Sequence, residues 1–362
     1  MNITIIGAGP IGCYAGYFLA KAGHTVTIYE NHAQVGCPIQ CTGILTSDFD
    51  QFQLPMESYL VNTIDTIEVY SPQENVAITQ KDYIVCRTKF DNFFATMARD
   101  AGATILVNHS FTRKEGNELI IKDTINNTEI KITPDIVIAA DGPLSPTAKA
   151  YGFFHPKREN YFGIQAVVEG KFEPHTIKTY FGNIVCPGLF AWVVPESATR
   201  ARVGLATLRN TKKYFDTFMK EHNFTSLEIQ AGAIPVYNSK QQLHKDNCYV
   251  IGDASGYVKA TTLGGLVPAL RQAKLVAECI LKDKKIEAEI APVRKQMKLH
   301  LKVHDIFNRF TDADWDRLVR YVKQPKIQHV FEQYTRDNPL PLLIKTLLKE
   351  PRFLYFSKYL FS

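Results

Sequence analysis

Three glycines near the N-terminus, and the acid that follows them, predict chemistry more directly than any other residues of the chain. The pattern G-x-G-x-x-G consists of Gly7, Gly9 and Gly12, with Ile11 at one of its variable positions. The first glycine permits a tight turn, the second lets the backbone approach a pyrophosphate, and the third lets a helix pack closely on a strand. Glu30 follows at the distance where a carboxylate accepts hydrogen bonds from both ribose hydroxyls, which disfavours a 2′-phosphate. The pattern therefore predicts a dinucleotide site and argues against NADP in this loop.

The elements around the loop must place it between a strand and a helix. An apolar strand at 2–6, a helix with helical apolar spacing at 11–22 and a second strand at 24–29 fill the length of one βαβ unit. A glycine-rich turn in an unrelated α/β protein is the alternative, and the complete strand–helix–strand order disfavours it. The loop by itself does not distinguish NAD from FAD.

In the rest of the chain, the pattern of predicted strands and helices changes twice. Apolar runs that end on Asp141 and on Gly252-Asp253 fit further strands of the nucleotide domain, whereas the alternating strands between them indicate an antiparallel sheet. Two short β-like stretches at 66–70 and 76–79, set between turn formers, are assigned to that second sheet. The predicted α/β organisation is a discontinuous Rossmann-type domain at 1–60, 85–150 and 246–284, an antiparallel substrate domain at 61–84 and 151–245, and a helical C-terminal region at 285–362.

Composition excludes several classes of protein. The 362 residues are 45% hydrophobic and 22% charged, which is ordinary for a globular chain, and no apolar run is long enough for a spanning helix. A strand begins at Asn2, which leaves no room for a cleavable signal. The net charge of +6 suits a solvated surface, an anionic lipid surface or a phosphorylated ligand, and we find no basic-aromatic module for nucleic acid.

Seven scattered cysteines indicate the compartment. An odd count without a secretory signal favours reduced thiols and a cytoplasmic location. Cys37 and Cys41 form the single close pair, and without a second pair at ligand spacing they do not predict a metal site.

Four further segments resemble those of the flavoprotein family that includes the aromatic hydroxylases and the geranylgeranyl reductases. They are Arg87-Thr88-Lys89-Phe90-Asp91, Asp141-Gly142-Pro143-Leu144-Ser145, Gly252-Asp253-Ala254 and Gly264-Gly265-Leu266. The resemblance implies that the dinucleotide is FAD, that Arg87 lies along its phosphate and ribityl region, and that Asp253 binds the ribityl chain. It also implies that the backbone N–H groups of Gly265 and Leu266 face the flavin pyrimidine and that the backbone of Val107 contacts the adenine.

Within that family, three segments are most similar to the geranylgeranyl reductases. They are a cysteine-containing loop from Cys37 to Gly43, the stretch 258–265, and the stretch 187–195. The resemblance implies that Cys41 and Gly43 lie beside the flavin, with Cys41 as a catalytic candidate, and that Phe190 and Trp192 line a lipid cavity. Core packing and an inert buried thiol are the alternatives for these residues.

This chain departs from the family pattern at three positions. Phe190 and Val194 replace a tyrosine and a phenylalanine of the lipid-cavity motif, and Leu263 stands where many members carry glycine. The wall of the cavity stays apolar but loses a hydroxyl, so the identity of the lipid is left open.

The function implied by the resemblance is FAD-dependent saturation of C=C bonds in a polyprenyl (geranylgeranyl) lipid or diphosphate. A flavin-dependent aromatic or polyketide monooxygenase and a non-catalytic lipid binder are the alternatives, and the halogenase motif Trp-x-Trp-x-Ile-Pro is missing. The electron donor is left open between NAD(P)H and a ferredoxin, and the proton donor between Cys41 and a flavin-bound water. The C-terminal leucines with Lys345 and Lys349 suit either a peripheral membrane contact or a lid over the substrate domain.

Overall fold

The computed structural model of the chain describes residues 1–154 and 158–360. A parallel sheet, with one antiparallel edge strand, contains the N-terminal βαβ unit. Its strands in spatial order are β16 (His244–Lys245), β17 (Cys248–Val250), β10 (Ile136–Ala139), β1 (Asn2–Ile6), β2 (Thr25–Tyr29) and β6 (Thr104–Leu106). The strand at the antiparallel edge is β16, and β1 lies in the middle with its carboxyl end at the glycine loop.

A large, mostly antiparallel sheet forms the second layer. Its strands in spatial order are β15 (Ser226–Pro235), β11 (Asn160–Glu169), β14 (Arg200–Thr207), β13 (Phe190–Pro195), β12 (Thr176–Phe181), β4 (Leu60–Tyr70), β5 (Asn75–Val85) and β3 (Ile44–Thr46). The β12–β4 pair is parallel and joins two segments that are far apart in the chain. A small antiparallel sheet consists of β7 (His109–Glu115), β8 (Glu118–Asp123) and β9 (Thr128–Ile132).

The helices pack against the three sheets and form the C-terminal region. They are α1 (Pro10–Lys21), α2 (Arg87–Asp100), α3 (Pro146–Ala150), α4 (Thr211–Glu221), α5 (Leu266–Leu281), α6 (Ile286–Glu289), α7 (Ala291–Phe307), α8 (Asp312–Val322), α9 (Pro325–Gln333) and α10 (Pro339–Lys349). Short 3₁₀ segments occur at Ser47–Phe52, Gly252–Ser255 and Pro351–Leu360. Among the described helices, none combines the length and the apolar character that crossing a bilayer requires.

The main core lies between the parallel sheet and helices α1, α2 and α5. Ile5 and Ile28 of the central strands are fully buried, as are Leu19, Phe94 and Leu270 from the three helices. Full burial of such a side chain is worth about 1.5–3 kcal/mol. This core holds the carboxyl end of β1, and hence the glycine loop, in a fixed place.

The predicted α/β fold class is confirmed, but two strands are much longer than their sequence pattern indicates. The stretches at 66–70 and 76–79 are parts of β4 and β5, each of which has 11 residues. The register of this pair shifts between Leu60 and Asn62 and again between Ile64 and Thr66. Such irregularities interrupt the two-residue alternation of burial, so the polar half of each strand does not look like a strand in the sequence.

Candidate active site

A cavity of about 1070 Å³ connects the glycine loop with the large antiparallel sheet and the C-terminal helices. Ten of the predicted site residues that line it are Gly7, Gly9, Ile11, Glu30, Cys41, Gly43, Arg87, Asp253, Gly265 and Leu266. Phe190 and Trp192, predicted to contact substrate, line the same cavity. The nucleotide segments and the apolar segments therefore share one space, which is large for a ligand site.

The glycine loop has the shape that a pyrophosphate needs. Gly7 has φ +104°, and a side chain there would place its Cβ 2.4 Å from the carbonyl oxygen of Ala140. Gly9 ends the loop and precedes α1, where a Cβ would meet nothing within 4 Å. No side chain caps α1 at Gly9. Free backbone N–H groups and open space at a helix N-terminus are what an anionic phosphate requires.

Glu30 is 8% exposed and points back at the loop. Its Oε2 accepts a hydrogen bond from the backbone N–H of Ala8 at 2.9 Å, and its Oε1 lies 2.7 Å from Nδ1 of His32. The carboxylate is thereby held at the rim of the cavity at the end of β2. It has the place and the charge to accept the hydroxyls of a ribose.

Arg87 begins α2 and brings a positive charge to the cavity beside Cys41. Its Nε and Nη2 donate to the two carboxylate oxygens of Asp91 at 3.1 and 3.0 Å, and its guanidinium also faces the Cys41 sulfur. Burial raises the pKa of Asp91, and the charge of Arg87 opposes that effect. The Cys41 sulfur accepts the backbone N–H of Gly43 at 3.4 Å. A thiolate at Cys41 would thus have a cation and an N–H donor as neighbours.

Asp253 faces the cavity from the 3₁₀ turn that follows β17. Burial raises the pKa of its carboxyl group, although the charges of Arg87 and Arg158 act in the opposite direction. The Nη2 atom of Arg158 donates to the backbone oxygen of Asp253 at 2.7 Å and so braces this turn. A Cβ at Gly265 would come within 3.2 Å of Oδ1 of Asp253. The absence of a side chain at Gly265 thus keeps the carboxylate and the N-terminus of α5 close together.

Aromatic side chains form the wall opposite the nucleotide segments. Phe190 and Trp192 project from the same face of β13, with ring centroids 6.2 Å apart. The ring centroid of Phe181 lies 5.1 Å from that of Phe190 and 4.7 Å from that of Trp315 of α8, and both ring pairs are tilted. Nε1 of Trp192 is buried and has no hydrogen-bond partner within the described ranges. The wall is therefore apolar and suits a hydrocarbon ligand.

Two predicted site residues do not line the cavity. Gly12 lies under the loop, where a Cβ would come within 2.2 Å of the carbonyl oxygen of Gly7, so its role is helix packing. Val107 is half-buried beyond β6, and its carbonyl oxygen lies 2.7 Å from Nδ1 of His109. His109 itself reaches the cavity, so an adenine contact through the Val107 backbone stays a prediction.

Sequence reasoning missed a polar network on the cavity wall. Thr42 donates to Gln165 at 2.7 Å, and Gln165 donates to Gln230 at 2.6 Å. The missed members come from β11 and β15, and their alternation with apolar neighbours was the available signal.

A buried ion pair between the loop before α5 and the C-terminal region was also missed. Lys259 pairs with Asp337, which also accepts the hydroxyl hydrogen of Thr46. Nearby, Arg336 pairs with the buried Asp82. No local pattern in the sequence indicates which of the many charged residues meet in this way.

Known proteins resemble this chain in sequence and in fold. A family description of NAD(P)-binding Rossmann-like domains matches residues 5–56. The chain is 27% identical to a digeranylgeranylglycerophospholipid reductase of Methanothermobacter thermautotrophicus, over 88% of this chain and 91% of the relative. A geranylgeranyl bacteriochlorophyll reductase-like structure from Thermoplasma acidophilum superposes with a TM-score of 0.83 at 21% identity, over 98% of this chain and 97% of the other.

A halogenase solved in complex with FAD has a similar fold. It superposes with a TM-score of 0.66 at 13% identity, over 95% of this chain and 85% of the other. The chain therefore shares its fold with a halogenase, whereas its sequence similarity over most of the chain is to the reductases. The predicted Rossmann-type fold is confirmed, and the predicted resemblance to the geranylgeranyl reductases is supported by similarity to a reductase over most of both chains.

Proposed function

We propose that this protein is an FAD-dependent reductase that saturates C=C bonds of a polyprenyl (geranylgeranyl) lipid or diphosphate. The observation that carries the proposal is the shared cavity, in which the uncapped helix at Gly9 and the aromatic wall at Phe190 and Trp192 face one space. The full-length similarity to a digeranylgeranylglycerophospholipid reductase supports the same substrate class. It favours the reductase over the monooxygenase alternative, which shares only the fold.

The two ends of the cavity would bind different molecules, FAD at one end and the lipid at the other. Gly7, Gly9 and Glu30 would hold the adenosine and pyrophosphate part of FAD, and Arg87 and Asp253 would hold the ribityl chain. When bound and reduced, FAD supplies a hydride to one carbon of the alkene. The aromatic wall orients the hydrocarbon chain and excludes water from it.

Mass spectrometry of the lipid tests this function. Purified protein with bound FAD, given dithionite and a geranylgeranyl lipid, should yield products heavier by two hydrogens for each reduced bond. Unchanged lipid in the presence of fully reduced FAD would overturn the proposal. Oxygen-dependent consumption of NAD(P)H that an aromatic compound stimulates would instead support the monooxygenase.

Cys41 is proposed as the proton donor to the second alkene carbon. Its thiol lines the cavity and gives up a proton beside the guanidinium of Arg87, which stabilises the thiolate until solvent returns the proton. Replacement of Cys41 by serine should lower the rate of lipid reduction by about 10²–10⁴-fold, with flavin reduction unchanged. Cys37→Ser is the matched control, because Cys37 lines the same cavity from the same loop. Equal rates in both variants would assign the proton to bound water.

The electron donor is proposed to be NAD(P)H or a ferredoxin. Anaerobic bleaching of the flavin absorbance by each donor in turn distinguishes them. Reduction by dithionite alone would show that neither is the natural donor.

Helix α10 is proposed as a peripheral contact with an anionic lipid surface. Leu342, Leu343 and Leu347 line the cavity, whereas Leu340, Ile344 and Leu348 form an outward stripe with exposures of 42%, 47% and 72%. Lys345 and Lys349 flank that stripe and are exposed. An apolar stripe bordered by lysines is typical of helices that lie in a membrane interface.

Vesicle sedimentation tests the membrane contact. Ile344→Glu should weaken binding to vesicles that contain anionic lipid, whereas Ile229→Glu, at another exposed isoleucine on the edge strand β15, should not. Activity on detergent-dispersed lipid should be equal in both variants. Equal vesicle binding by both variants would contradict the assignment of α10.

A further inference from the structure

Leu263 has a backbone conformation that does not suit a leucine. Its φ is +54°, in the left-handed region where a β-carbon crowds the backbone. Within residues 1–154 and 158–360, the other non-glycine residues with positive φ are Gln53, Asn108, Asn127, Asn210, Asn223, Asp246 and Asp283. These are polar residues, most of them of the asparagine and aspartate types that tolerate this region. Strained residues of this kind persist only where the surrounding structure imposes the conformation.

The loop around Leu263 imposes this left-handed backbone conformation. The backbone N–H of Leu263 donates to the carbonyl oxygen of Lys259 at 2.8 Å, and the N–H of Lys259 donates to the carbonyl oxygen of Gly264 at 3.3 Å. A Cβ at Gly264 would lie 3.0 Å from Cε of Lys259, so a side chain there would require the lysine to shift. The loop is therefore closed at both ends, and the direction of the Leu263 side chain follows from its backbone.

That side chain lies where the two parts of the cavity meet. Leu263 lines the cavity and packs against the buried cluster of the large antiparallel sheet that includes Leu205 and Phe215. Gly265, two residues later, is the N-cap of α5, and the resemblance implies that this helix end faces the flavin. Trp192 is on the edge of the same buried cluster. Leu263 thus reaches from the proposed flavin side to the proposed hydrocarbon side.

We propose that Leu263 is a specificity-determining residue, and that its side chain decides which double bond of the polyprenyl chain lies at the reacting position. This inference rests on the proposed reductase function. Glycine would meet the requirement of the backbone without strain. A leucine kept in a strained conformation, with its side chain in the cavity, indicates that the side chain itself has a use there.

The regiochemistry of the first reduction tests the proposal. Leu263→Gly removes the backbone strain and leaves the space of the leucine side chain empty. The proportions in which the different double bonds are reduced first should therefore change by about tenfold, which is the smallest effect that a lost methylene contact has on selectivity. Leu263→Asn keeps a side chain of similar shape and relieves part of the strain, so its product ratio should stay close to that of the wild type. Gln53→Gly is the matched control, because Gln53 has φ +52°, is exposed and lies outside the cavity.

Cofactor content and lipid binding should be measured in the same variants, in addition to the reaction products. FAD content and the flavin absorbance spectrum should be the same in all variants, and the affinity for a saturated phytanyl lipid should change in Leu263→Gly alone. Both glycine variants should remain folded, with Gln53→Gly melting at the same or a slightly higher temperature than the wild type.

The outcomes separate the two proposals. If the wild type reduces the lipid and Leu263→Gly gives the same bond ratio and phytanyl affinity, the assignment of Leu263 is wrong and the reductase function stands. If Leu263→Asn changes the ratio as much as Leu263→Gly does, the effect is one of the backbone and the assignment is also overturned. If the wild type leaves the lipid unreduced although its FAD is reduced, both proposals fail.

Discussion

Neutralising Asp337 should destabilise the protein by about 3–5 kcal/mol, because it would leave the Lys259 ammonium buried without its partner. Lys259 and Asp337 are 5% and 4% exposed, so water cannot replace either partner. The pair joins the loop before α5 to the segment between α9 and α10, and the hydroxyl of Thr46 donates to the same carboxylate. The variant Asp337→Asn keeps the shape of the side chain and removes the charge.

The pKa of Asp337 gives a second, independent value for the stabilisation that its charge provides. Burial alone would raise it, but the charges of Lys259 and Arg336 outweigh burial and lower the pKa to about 2. A fall of nearly two units from the ordinary value near 3.9 corresponds to about 2.5 kcal/mol. Because the folded pKa is depressed, this stabilisation is complete above about pH 4 and is lost as the pH falls from 4 to 2. It is smaller than the loss in the variant, since at low pH the protonated carboxyl still offers Lys259 a hydrogen-bond acceptor.

Urea unfolding monitored by tryptophan fluorescence measures both magnitudes. The chain has two tryptophans, so Trp192→Phe leaves Trp315 as the reporter of the C-terminal region. In that background Lys259→Met combined with Asp337→Asn should cost less than the sum of the single variants, since neither charge is then stranded. The exposed Asp100→Asn serves as the control and should change the unfolding free energy by less than about 0.5 kcal/mol. The reasoning is refuted if Asp337→Asn unfolds within about 1 kcal/mol of the wild type.

Two other perturbations test the site and the C-terminal region. Burial and the charge of Lys259 lower the pKa of His300 to about 4. As the pH falls, His300 is therefore protonated in the unfolded chain before it is protonated in the folded protein. The free energy of unfolding should consequently fall by about 3 kcal/mol between pH 6.5 and 4. His300→Gln should flatten that part of a Tm–pH curve, and an unchanged slope would contradict the burial argument. Gly7→Ala should abolish folding or FAD binding because its Cβ would meet Ala140, whereas Gly9→Ala should fold and lose FAD affinity in a fluorescence titration. Tight FAD binding by Gly9→Ala would show that no phosphate lies there.

The sequence predicts what local chemistry imposes. Gly7 and Gly9 could be recognised because a tight turn and a close ligand approach each require a glycine at one place relative to a strand and a helix. Glu30 could be recognised because the end of β2 fixes its position relative to that turn. The same reasoning gave the α/β fold class, because apolar runs and helical spacing are also local patterns.

Other features depend on long-range pairing and could not be predicted in this way. Asp337 meets Lys259 across 78 residues and Thr46 across 291, and nothing near any of the three indicates the partner. The strain at Leu263 arises because Lys259 and Gly264 close the loop on each other, so it is a property of the folded backbone. A leucine in a glycine-rich stretch looks in the sequence like a conservative loop residue.

The C-terminal helix shows why one pattern can suit two structures. A leucine-rich helix that carries lysines is interpreted from sequence either as a membrane contact or as a lid over a cavity. In α10 the inward leucines, among them Leu343 and Leu347, cover the cavity, while Ile344 and Leu348 remain exposed. The lid and the surface contact are therefore not exclusive alternatives, because each uses a different face of the same helix. A lipid surface that holds the outer face would also hold the inner face, and so the wall of the cavity, in place.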